Sequence, residues 1–86
     1  MEIKKVLNLL SNQYAKSFKR FENDYSFMSN FSEQVKDFNN DFLRIISAVL
    51  SGDANEIRAS LFGSMFYVNA TLNEQKKLDF ELLGIF

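Results

Sequence analysis

Leu7, Tyr14, Phe21, Met28, Val35, Phe42 and Val49 follow one another at intervals of seven residues, with no polar residue interrupting the series. Three residues further on, a second position holds Leu10, Phe31, Phe38 and Ile45, with Ile3 one repeat before them. Apolar residues at this spacing lie along one side of a helix, and other helices must keep that side dry. The chain has no Pro, and its three Gly stand at 52, 63 and 84, so helices can run long. No segment alternates strictly or is rich enough in Val and Thr to read as a strand. The fold class is therefore all-α.

The clearest break is Ser51-Gly52-Asp53. Gly52 suits the left-handed residue that ends a helix, and Asp53 with Glu56 gives the Asp-x-x-Glu pattern of a capping box. A turn this short folds the next helix back as an αα-hairpin. The second helix is expected over about 54–83, with Ile57, Leu61, Met65, Val68, Leu72, Leu78 and Leu82 as its stripe and Phe62 and Phe66 widening it. Gly63 reads as a tolerated residue or a point of close approach within that helix, at a cost of about 1 kcal/mol against Ala. Gly84-Ile85-Phe86 reads as a helix end with an apolar tail folding back.

Residues 22–32 pull in two directions. Asn, Asp and Ser are frequent there, and their side chains compete for nearby backbone groups. Asn30 with Glu33 is a candidate cap for a fresh helix. Propensity alone gives a monomeric three-helix bundle over 2–22, 31–50 and 54–83. Yet the seven-residue repeat passes through in phase from Phe21 to Val35, whereas a loop ordinarily resets the register. The repeat favours one helix over about 2–50, a turn at 51–53 and a helix over about 54–83.

That choice has a consequence for assembly. The first helix would be about 70 Å long and the second about 45 Å, leaving roughly 15 to 20 N-terminal residues uncovered. A two-fold dimer would cover them and close a four-helix bundle. The expected interface is Leu7, Leu10, Tyr14, Phe18, Phe21, Tyr25, Met28, Phe31, Phe38 and Phe42. Ser17 and Asp24 interrupt the second repeat position. They read either as polar register elements or as a one-residue shift of the stripe that leaves Asp24 in water.

Composition sharpens the picture. Ten Phe in 86 residues supply large buried area per residue. There is no Cys and no His, which removes disulfides, thiolate zinc sites and imidazole chemistry. Residues 1–50 carry seven basic and six acidic side chains, and residues 51–86 carry three and five. So even a balance gives little drive towards nucleic acid. No stretch is apolar enough to span a bilayer, and the N-terminus does not read as a cleaved signal, so the expected location is cytoplasmic.

Lys16, Lys19 and Arg20 lie beside Phe18 and Phe21 but on the charged side of the helix, with Glu22 and Asp24 following. Glu33, Asp37 and Asp41 share a helix face, flanked by Lys36 and Arg44, and no His completes a di-metal set. Ordinary solvated faces account for both groups. Asn30-Phe31-Ser32 and Asn69-Ala70-Thr71 match the glycosylation pattern by coincidence. No nucleophile stands beside a base, and no Gly-rich phosphate loop is present, so neither enzyme, metal nor cofactor is predicted.

The size and hairpin resemble the small secreted proteins of the WXG100 class, with Leu50-Ser51-Gly52 where that class has Trp-x-Gly and without its Tyr-x-x-x-Asp/Glu tail. They also resemble type III secretion needle subunits, where Tyr67-Val68-Asn69 is similar to part of the second helix but the Pro-containing turn is missing. Either likeness implies a helical hairpin exported by a specialised secretion system. No residue roles carry over.

Three functional expectations follow. The first is a non-enzymatic, self-associating protein that serves as an adaptor, chaperone-like partner or assembly subunit through its Phe-rich stripe. The second is a peripheral membrane protein that lays residues 2–21 on an anionic surface through Lys4, Lys5, Lys16, Lys19 and Arg20. The third is the exported hairpin.

Overall fold

The computed structural model describes residues 2–84, which form five helices and no strand. They are α1 (Ile3–Tyr25), α2 (Phe31–Ser51), α3 (Ala54–Leu61), α4 (Met65–Val68) and α5 (Leu72–Leu83). The single helix expected over 2–50 does not form. After Tyr25 the chain makes two hydrogen-bonded turns, with the Met28 amide donating to the Tyr25 carbonyl and the Phe31 amide to that of Met28. It then runs back along itself. Asn30 stands at the cap position of α2, but its side chain accepts from the Gln34 amide group instead of capping the backbone.

This reversal sets the aromatic residues of α1 against those of α2. Phe21 lies 5.5 Å from Phe31 and 5.1 Å from Phe38, Phe18 lies 5.3 Å from Phe38, and Tyr14 lies 4.7 Å from Phe42, all between ring centres. The pairing is antiparallel, and Phe38 is wholly buried at its centre. Residues that the seven-residue repeat placed on one continuous rod therefore face each other across a hairpin. Burying a large aromatic contributes about 2–3 kcal/mol, so this seam is a main source of the fold's stability.

The helix expected over 54–83 is also divided. α2 ends as the sequence suggests, on Gly52 at φ 75°, whose amide reaches the Ala48 and Val49 carbonyls. Asp53 caps α3 by accepting from the Asn55 and Glu56 amides. The Glu56 carboxylate completes this corner through the Ser51 hydroxyl, not through the Asp53 amide of a capping box. Gly63, at φ 84°, lies beyond the end of α3, a conformation that favours glycine. Ser64 then caps α4, and Thr71 caps α5 in a full capping box with Glu74. Gly84 ends α5. The tail at Ile85 and Phe86 lies outside the described residues.

α4 packs on α1 and α2, and α5 on α1 and α3. The short α4 carries Phe66 into the core, 5.2 Å from Phe42 and 6.5 Å from Phe38. Val6, Leu10, Ile45, Ala48, Val49, Ile57, Leu61, Leu78 and Leu82 complete the buried cluster. The described residues measure 39 Å along their longest axis, well short of a 70 Å rod. The two-helix hairpin on which the secretion-system likeness rested is not formed.

Candidate interaction surface

Most of the expected interface is used within the chain. Leu10, Phe21 and Phe38 are buried, while Tyr14, Phe18, Phe31 and Phe42 are partly buried against the core. Leu7 is half-buried. Tyr25 and Met28 are exposed at the α1–α2 turn, so Met28 lies in no helical seam. The N-terminal residues expected to need a second copy are sheltered by α2 and α5 of their own chain.

The inward face of α1 is Val6, Leu10, Gln13, Ser17 and Phe21, with Val6 and Gln13 taking the place of their series neighbours Leu7 and Tyr14. Ser17 is buried and Asp24 exposed, so the stripe shifts at Asp24 while Ser17 is a true polar element of the interior. The Gln13 side-chain amide donates to the Ser17 hydroxyl at 2.8 Å. One turn on, Arg20 donates to both carboxylate oxygens of Glu74, at 2.7 and 3.1 Å, and to the Asn69 carbonyl at 3.1 Å. The Glu74 carboxyl is held down at about 2, chiefly by Arg20, with burial opposing and Thr71 and Gln13 assisting. The interior polar groups are satisfied among the described residues. This seam fixes the register of α1 on α5.

The other charged groups are also accounted for structurally. Asp41 accepts from the Met65 amide at 3.0 Å and from Arg44 at 3.1 Å, which anchors the start of α4 on α2. Glu33 and Asp37 are exposed, and no group of three metal-ligating side chains gathers among the described residues. Lys16 and Lys19 face solvent, whereas Arg20 and Lys5 pair with Glu74 and Glu81 of α5. With Val6, Leu10 and Phe21 turned inward, residues 2–21 present their main apolar face to the core. No described helix is long and apolar enough to cross a bilayer.

Apart from Ile3, the large apolar side chains exposed at the described surface lie in three places. Leu43 and Leu50 are 59% and 61% exposed on the outer face of α2, with half-buried Ile46 between them. Their spacing of three and four residues puts all three on one helix face. Tyr25, Phe27 and Met28 crown the α1–α2 turn. Phe62, Val68, Leu72 and Phe80 lie exposed on the α3–α5 half, where Phe62 leans on Tyr67, whose hydroxyl bonds to Asp79. The Leu43–Leu50 pair could be found in the sequence as a second seven-residue step, hidden by the stronger series beside it. No cavity opens among the described residues.

No family model, no curated protein and no solved structure matches the chain.

Proposed function

We propose that this chain is a non-enzymatic helical interaction module that self-associates and serves as an adaptor, chaperone-like partner or assembly subunit. The observation that carries the reading is the pair Leu43 and Leu50, both more than half exposed and seven residues apart on α2. The self-association differs in place from the one expected of a continuous rod, since the Phe-rich stripe is spent on the fold. A two-fold, antiparallel contact between two copies of α2 would set Leu43 of one against Leu50 of the other, with small, exposed Ser47 at the crossing. Such a contact is isologous, so it closes at two copies and leaves the other surfaces free for a further partner.

Sedimentation equilibrium at micromolar concentration tests the reading. The natural chain should sediment as a dimer, and the Leu43→Asp/Leu50→Asp variant as a monomer of unchanged helicity. A natural chain that stays monomeric into the high micromolar range would sink it.

A further inference from the structure

We propose that the α1–α2 turn is a docking knob for a basic amphipathic helix, with Phe27 as the anchor that packs between that partner's spaced apolar side chains. The surface is separate from the α2 face that carries self-association, and the inference stands without it.

Phe27 is 82% exposed, the highest value among the large apolar side chains left at the described surface. It stands between Tyr25 and Met28, both exposed, at the apex of the two turns that join α1 to α2. The backbone there is pinned. The Ser26 amide donates to the Glu22 carbonyl, Met28 to Tyr25 and Phe31 to Met28, at 2.9, 3.0 and 3.1 Å. Below the turn, Phe21 stacks on Phe31 and closes the hairpin. On a fixed turn only the two side-chain torsions of Phe27 remain to be ordered on binding, which keeps the entropic cost of an aromatic anchor low.

The charges around the knob select the partner. Between Arg20 and Lys36 the charged residues are Glu22, Asp24 and Glu33, all acidic and all exposed. Arg20 is occupied by Glu74 and cannot neutralise them. Glu22 and Asp24 lie in the last turn of α1, which has no basic residue. Carboxylates there oppose the negative end of the helix, so the fold gains nothing from them. Lysines or arginines of a partner would relieve that opposition and complement the rim around Phe27. An anionic membrane would be repelled by the same rim.

The test is a heteronuclear NMR titration of the full chain with two synthetic 18-residue amphipathic helices. They share the same spaced leucines, and the polar face is lysine in one and glutamate in the other. The lysine peptide should shift the amides of residues 22–33 and the glutamate peptide should not. Phe27→Ala should weaken the lysine peptide's binding on the order of tenfold or more with helicity unchanged. The triple change Glu22→Gln, Asp24→Asn and Glu33→Gln should weaken it and flatten its salt dependence. The proposal is overturned by shifts that map elsewhere or fail to occur, by equal binding of the two peptides, or by unaltered binding to Phe27→Ala. Phe27-dependent binding to anionic vesicles, or loss of self-association in Phe27→Ala, would assign the knob to a membrane or to a second copy and would equally overturn it.

Discussion

Arg20 and Glu74 are 54 residues apart along the chain, yet the guanidinium of one holds both carboxylate oxygens of the other. The pair joins the C-terminal part of α1 to the first turn of α5, where Glu74 also accepts the Thr71 amide at 2.7 Å. One carboxylate thus closes a capping box and ties together two distant helices.

The pair makes stability depend on acid. Glu74 is ordinarily protonated near 4.5 and here only near about 2, so its contribution is present above 4.5 and is lost as pH falls towards 2. Urea midpoints followed by circular dichroism should place Glu74→Gln below the natural chain at pH 7. The gap between the two should close by pH 2. A gap constant across that range would show that the carboxylate is not held by Arg20.

Ser17→Ala removes the hydroxyl that accepts from the buried Gln13 amide at 2.8 Å, and should cost about 1–3 kcal/mol in chemical denaturation. Replacing both residues, as Gln13→Met/Ser17→Ala, should cost less than the sum of the single changes. The coupling in a double-mutant cycle measures this. Additive losses would mean that the two side chains act separately.

Phe38 touches Tyr14, Phe18, Phe21 and Phe66 and is wholly buried. Phe38→Ala should therefore lower stability by about 3–5 kcal/mol. That is a large share of what a small domain has, so thermal melts should show a broadened, early transition or none.

Met28→Asp should leave helicity unaltered and change stability by no more than about 1 kcal/mol, because the side chain stands in a turn at the surface. Loss of helical signal on this substitution would restore the continuous rod.

The Tyr67 phenol is pushed up to about 12, first by burial and then by its hydrogen bond to Asp79 and that group's charge. Its neutral form supports the fold below 10, and that support is lost as pH rises from 10 towards 12. Ultraviolet titration should show delayed ionisation at Tyr67 as well as at Tyr14, which burial also raises, and Asp79→Ala should bring Tyr67 forward.

Local signals are legible in the sequence where they stand alone. Gly52 and Asp53 mark the end of α2 and the start of α3 because φ and capping are set within a few residues. The bundle expected from propensity, with helices over 2–22 and 31–50, comes within three residues of the observed ends of α1 and α2. The in-phase repeat misled for a physical reason. Phe21 and Val35 each face the same core from their own helix, and a five-residue turn happens to preserve the interval.

The division of the C-terminal half was also legible, in Thr71-Leu72-Asn73-Glu74, which has the spacing of a capping box. Gly63 followed by Ser64 marks the earlier break. An apolar stripe running through both concealed them. The candidate surface was less legible than the fold. Whether Phe21 or Phe27 is covered depends on long-range packing, and the two look alike in sequence.

Lys5 and Glu81 meet at 3.5 Å, so the start of the first helix and the end of the last lie together. The helices then follow one another round a nearly closed circuit. A short flexible bridge could join α5 to α1, and a new opening at the exposed Gly52 corner would give a circularly permuted chain with the same neighbours. In such a molecule α3 would lead, and the aromatic hairpin would be made last.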